Sequence, residues 1–173
     1  FYLRRGMAWY LSLFVHDEQR FEAVMRFDSQ FFGFVQLVVK RDLILSICRL
    51  LDPAVQGRNR NATIFALLDM LPQSSRSEFD TEERALERFR AKFSDIRNKL
   101  LAHRDFDRAP EIKVNKEFIF RPIDLKRAVD LLSDVIDRVA GPLKVSQITM
   151  IDAYGGPDPA ESMLKKMNCM TAG

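Results

Sequence analysis

Between Phe31 and Leu51 the apolar residues Phe31, Phe32, Phe34, Val35, Leu37, Val38, Leu43, Ile44, Ile47 and Leu50 fall on nearly every side of a helix axis. At about 100° per residue such a run has almost no polar face. A helix that is apolar all round has to be covered all round. The stretch therefore predicts a central rod wrapped by other helices or by a second subunit, with Lys40-Arg41-Asp42 as its one wet edge. Seven glycines in 173 residues leave little material for the turns of an all-β fold, and fourteen phenylalanines supply core volume. The expected class is all-α.

The flanking sequence supplies the helices that would do the wrapping. Leu3, Met7, Tyr10, Leu11 and Phe14 repeat at helical spacing over Phe1 to Phe14. His16-Asp17-Glu18 reads as a break, with Asp17 capping the next helix and His16 a loop or surface residue. That helix runs from Arg20 to Asp52 with a kink near Asp28-Ser29, and Pro53 stops it because proline disfavours helical geometry at the preceding residue. Gln56 to Asn61 is a loop with Asn61 as a cap, and Ala62 to Leu71 is a short helix halted by Pro72. Ser74 to Asp80 reads as a polar, mobile connector before a helix start at Thr81-Glu82-Glu83. An amphipathic segment then extends from about Glu82 to Phe106.

Residues 111–120 could form a small β-hairpin across Asn115-Lys116. Asp124 opens a last helix, with Leu125, Val129, Leu132, Ile136 and Val139 spaced four, three, four and three, and Gly141-Pro142 punctuates its end. A short helix over Ala160 to Met167 follows the Gly155-Gly156-Pro157 break. The expected architecture is a helical bundle of four to five main helices in one domain over 1–145. Residues 146–173 form a tail, rich in methionine, that packs on the domain or on a partner.

Several chemistries are disfavoured. Cys48 and Cys169 lack paired-cysteine spacing, so neither a zinc site nor a disulfide framework is expected, and Cys48 reads as a small core residue. Two histidines, His16 and His103, are too few for a histidine-rich metal centre. Composition leaves a carboxylate-bound magnesium open, and no cofactor is expected. Gly155-Gly156 lacks the lysine and strand context of a nucleotide loop. The apolar runs are interrupted by charge before they reach membrane-spanning length, and no secretory signal is evident, so the expected compartment is the cytoplasm. Because residue 1 is Phe, further sequence is expected upstream.

One stretch has more polar character than a core helix requires: Asp95-Ile96-Arg97-Asn98-Lys99-Leu100-Leu101-Ala102-His103-Arg104-Asp105. Leu86, Phe89, Phe93, Ile96, Leu100 and His103 share one stripe, so His103 extends the buried face. The plain explanation is a packed histidine near a helix C-terminus, an exposed Asp95–Lys99 pair and solubilising charge. The local charge fits either reading: Arg84 to Arg108 holds eight Lys/Arg against four Asp/Glu, an excess that can attract phosphate and equally suits a solvated helix face, in a chain of net charge only +3. Arg97 and His103 are six residues apart and point about 120° from each other on a regular helix. They can act together only if the arginine curls round, the helix loosens near Ala102, or a second chain supplies one of them.

Arg97-Asn98, then His103-Arg104-Asp105 with five residues between Arg97 and His103, resembles the signature of the HEPN family. Leu101-Ala102-His103-Arg104-Asp105, with Arg49-Leu50-Leu51-Asp52-Pro53 closing the earlier buried helix, resembles its abortive-infection U-like branch. The resemblance covers roughly Phe21 to Ala140. It implies a helical bundle that dimerises with two motifs across a cleft, and commonly a metal-independent endoribonuclease of toxin–antitoxin or phage-defence systems. RNA carries its own nucleophile in the 2′-hydroxyl. His103 would move a proton, Arg97 would stabilise the phosphorane-like charge and Asn98 would orient the phosphate or the histidine. Lys99 and Arg104 would hold flanking phosphates. The implied partners are RNA, a second copy of the chain and an antitoxin protein. The alternatives are a non-catalytic module of the same family, binding RNA, a nucleotide or a protein, and a plain helical interaction protein.

Overall fold

The computed structural model describes residues 2–102 and 121–143, together with Met163. Its helices are α1 (Tyr2–Phe14), α2 (Glu18–Leu50), α3 (Ile64–Asp69), α4 (Gln73–Arg76), α5 (Asp80–Ala102) and α6 (Pro122–Ala140), with a 3₁₀ turn over Ser77–Phe79. The class is all-α, and α1, α2, α5 and α6 are the long helices among the described residues. None of these helices is long and apolar enough to cross a membrane. The chain divides into two compact units, with the boundary inside α2 between Leu43 and Ile44.

In the first unit, caps made by aspartates set the helix starts. Asp17 Oδ1 accepts from the backbone N–H of Gln19 at 2.9 Å and of Arg20 at 3.2 Å, satisfying two donors that a helix start leaves open. The expected kink is at Asp28, whose φ of −159° and ψ of 97° leave the helical region. Its carboxylate recaps the helix by accepting from Phe31 N–H at 2.9 Å. Met7, Tyr10, Leu11, Leu13, Phe14, Val24, Phe32 and Leu43 are buried. A Cβ on Gly6 would meet Leu43 Cδ2 at 3.4 Å, so the small residue lets α1 approach α2.

The expectation of a rod covered on all sides holds for only part of α2. Ile44, Ile47, Cys48 and Leu51 are buried, but Phe27, Phe31, Phe34, Leu37 and Val38 remain 44–65% exposed. An all-round apolar pattern states what should be covered, and among the described residues the helices cover part of it.

The second unit holds the other core. Where a loop was expected over Gln56 to Asn61, residues 55–60 form an antiparallel hairpin with Val55 opposite Arg60 and Gln56 opposite Asn59. Gly57, at φ 62°, takes the left-handed conformation that this tight turn demands. Asn61, expected as a cap, instead donates its side-chain N–H to the Pro53 carbonyl at 3.0 Å; Thr63 caps α3 by accepting from Ala66 N–H at 3.3 Å. The segment read as a mobile connector is helical, through α4 and the 3₁₀ turn, with Phe79 fully buried. Arg76 ties it to α5 through Glu83 at 2.6 Å.

Along α6, Leu125, Val129, Leu132 and Val139 are buried as expected, but Val135 takes the place assigned to Ile136. Lys92 on α5 meets Asp124 at 3.0 Å, and Arg138 on α6 pairs with Glu82. Thus α5 is held against α6 at both ends of their contact. The hairpin expected over 111–120 and the tail helix expected over Ala160–Met167 lie outside the described residues.

Candidate functional site

The site is built where the end of α2 meets the second half of α5. Phe93 is fully buried, and its carbonyl accepts from Cys48 Sγ at 3.5 Å, fixing α5 against the last turn of α2. Arg90, Ser94 and Arg97 fall on one stripe of α5 at spacings of four and three. Together with Asp52, Pro53 and Gln56 they form the rim of a cleft of about 150 Å³. Cys48, Leu51 and Phe93 form its floor.

Charge within the cleft is paired. Arg97 Nη1 donates to Asp52 Oδ1 at 2.6 Å, and both side chains keep just under a third of their surface open (30% and 28%). A charge-assisted bond of this length is among the stronger polar contacts available to a side chain. Arg90 Nη1 reaches both Glu87 oxygens, at 3.0 and 3.1 Å, and its guanidinium lies 5.9 Å from the Phe65 ring centroid. Burial pushes the Cys48 thiol up to about 11; the Arg97 charge pulls against that and the Asp52 charge adds to it. The thiol is therefore protonated near neutral pH, as befits a packed residue rather than a nucleophile.

Of the residues singled out by the sequence, Arg97 is placed at this cleft. Asn98 and Lys99 continue α5. His103 and Arg104 lie outside the described residues. Sequence reasoning did not assign a site role to Asp52, Arg90, Ser94 or Gln56. The i, i+4, i+7 stripe of Arg90, Ser94 and Arg97 was open to a helical projection. The Asp52–Arg97 pair spans 45 residues, and no local pattern announces it.

Comparison with known proteins adds one finding. The HEPN_AbiU2 family model, described as AbiU2, matches residues 3–148, which include the cleft and the Arg97–His103 stretch. No curated protein and no solved structure matches the chain.

Proposed function

The chain belongs to the HEPN_AbiU2 family, and from that premise we propose that it is a metal-independent endoribonuclease acting as a toxin or phage-defence effector in the cytoplasm. The observation that carries this reading is Arg97: its guanidinium is held at 2.6 Å by Asp52 yet remains partly open at the rim of a cleft. A planar fork fixed in this way suits a phosphate that gains negative charge as it is attacked.

RNA supplies its own nucleophile, so the protein has to move protons and stabilise charge. His103 takes the 2′-hydroxyl proton or protonates the leaving 5′-oxygen, imidazole being the side chain suited to moving a proton near neutral pH. Arg97 stabilises the phosphorane-like transition state. Asn98 orients a phosphate oxygen or the imidazole, and Lys99 and Arg104 grip flanking phosphates. The products are a 2′,3′-cyclic phosphate and a 5′-hydroxyl. Replacing the 2′-hydroxyl by hydrogen at the cut nucleotide should abolish cleavage in EDTA; a deoxy substrate cut at the ribose rate would end this reading.

The six-residue spacing of Arg97 and His103 favours a site completed by a second copy, and an antitoxin protein is the further partner implied. The exposed face of α2 supports self-association on separate grounds. Phe27, Phe31, Phe34, Leu37 and Val38, each about half exposed, offer on the order of 400–500 Å². Two-fold pairing of that face would bury about 1,000 Å², the lower bound for a specific interface. Sedimentation should show a dimer at micromolar concentration that Phe34→Glu weakens. A monomeric wild type would remove the shared site.

A second reading starts from the same ion pair. Asp52 neutralises Arg97, an arrangement that equally suits a non-catalytic module of the family, with the pair serving as a brace. Such a module would bind RNA, a nucleotide or a protein and leave RNA uncut.

A further inference from the structure

We propose that Asp52 is the positioning residue for Arg97, fixing one edge of the guanidinium so that its other donors serve the cleft; this rests on the ribonuclease reading above. Asp52 stands on an anchored turn. Leu51 before it is 1% exposed and its N–H reaches the Ile47 and Cys48 carbonyls at 3.0 and 3.2 Å. Pro53 after it has a fixed φ, and its carbonyl accepts from Asn61 Nδ2 at 3.0 Å. The Ala54 carbonyl accepts from Asn61 N–H at 2.9 Å. The carboxylate is thus mounted between a buried helix end and the hairpin, and has little freedom to follow a moving arginine.

The contact itself joins one nitrogen to one oxygen, Nη1 to Oδ1. A guanidinium has five N–H donors in a rigid fork, so this bond orients the plane and leaves most of the fork for a ligand. Arginine otherwise has many rotamers, and a phosphate site that must first select one of them loses rate. A simple brace between helices would not require the pair to sit partly open on a cleft rim beside Ser94 and Arg90, as it does.

The test uses the full chain, a labelled RNA and EDTA, with circular dichroism confirming that each variant is folded. Asp52→Ala should lower kcat about 10–100-fold, by analogy with the loss of a partner that orients a metal-ligating side chain, with KM changed no more than about twofold. Asp52→Asn, whose amide oxygen can still accept from Nη1, should recover part of that loss, and it serves as the measured variant if the alanine form does not fold. A folded Asp52→Ala with wild-type kcat, while Arg97→Ala is inactive, overturns the positioning role and leaves the ribonuclease reading intact. A loss confined to KM overturns it as well. A wild-type chain that cuts no RNA overturns the ribonuclease reading and this proposal together.

Discussion

Truncation of Phe93 tests the base on which the site is built. The ring is fully buried, contacts Phe89 at a centroid distance of 6.2 Å, and forms part of the cleft floor one turn before Arg97. Removing from water about 200 Å² of aromatic surface at 25 cal/mol per Å² gives an upper figure of about 5 kcal/mol. Measured Phe→Ala losses in cores run about 3–5 kcal/mol, including the cavity left behind. Phe93→Ala should therefore lose about 3–5 kcal/mol in urea titrations followed by far-UV circular dichroism, and its Tm should fall by roughly 6–20 °C. Phe93→Leu fills most of the volume and should cost under about 1.5 kcal/mol. A loss below about 1 kcal/mol for Phe93→Ala, against that expectation, would mean that α5 is not packed on the end of α2, and the cleft would lose its floor.

Two further outcomes follow from ionisable groups. Burial alone would raise the Asp124 carboxyl, but hydrogen bonds from Lys92 and Arg121 outweigh it and hold the group below its usual value. Its stabilising contribution is thus present above the unfolded pKa of about 3.9 and lost as pH falls through the lower folded value. Lys92→Ala should cost about 1–2 kcal/mol at pH 7, since Lys92 is half open to solvent, and the difference from wild type should fade below pH ~4. In a Cys169→Ser background, Cys48, 4% exposed with its thiol raised to about 11, should resist alkylation at pH 8 until urea unfolds the chain. The raised thiol favours the folded state below the unfolded value of about 8.5, and that advantage disappears as pH rises through 11. Rapid labelling of the native protein would place Cys48 outside the core.

Local chemistry made much of the fold legible. Asp17 is readable as a cap because a carboxylate two or three residues ahead of free helix N–H groups has one obvious use, the kink at Asp28 was legible though its capping bond was not, and Pro53 ends α2 for a reason internal to proline. Features that depend on distant neighbours were not legible. Asn61 carries cap chemistry yet bonds to Pro53, because the hairpin turns it toward the end of α2. Ser74 to Asp80 is polar enough to suggest a loop, but Phe79 anchors it in the core. The exposed phenylalanines of α2 look the same in sequence as the buried ones.

The site divides in the same way. Arg97 was readable from the composition of its own helix and from the family signature. Asp52 was readable only as a helix stop, because its bond to Arg97 is a tertiary fact. Ser94 and Arg90 gain meaning only once the end of α2 lies opposite them.

The most direct measurement compares cleavage of one RNA, in EDTA, by the wild-type chain, Arg97→Ala and His103→Ala at matched folded concentration. A 2′,3′-cyclic phosphate product from the wild type, with each variant slowed at least about a hundredfold, is the expected result for a transition-state donor and a proton-transfer group. Folded variants that cut as fast as the wild type, or a wild type that cuts nothing, would contradict it.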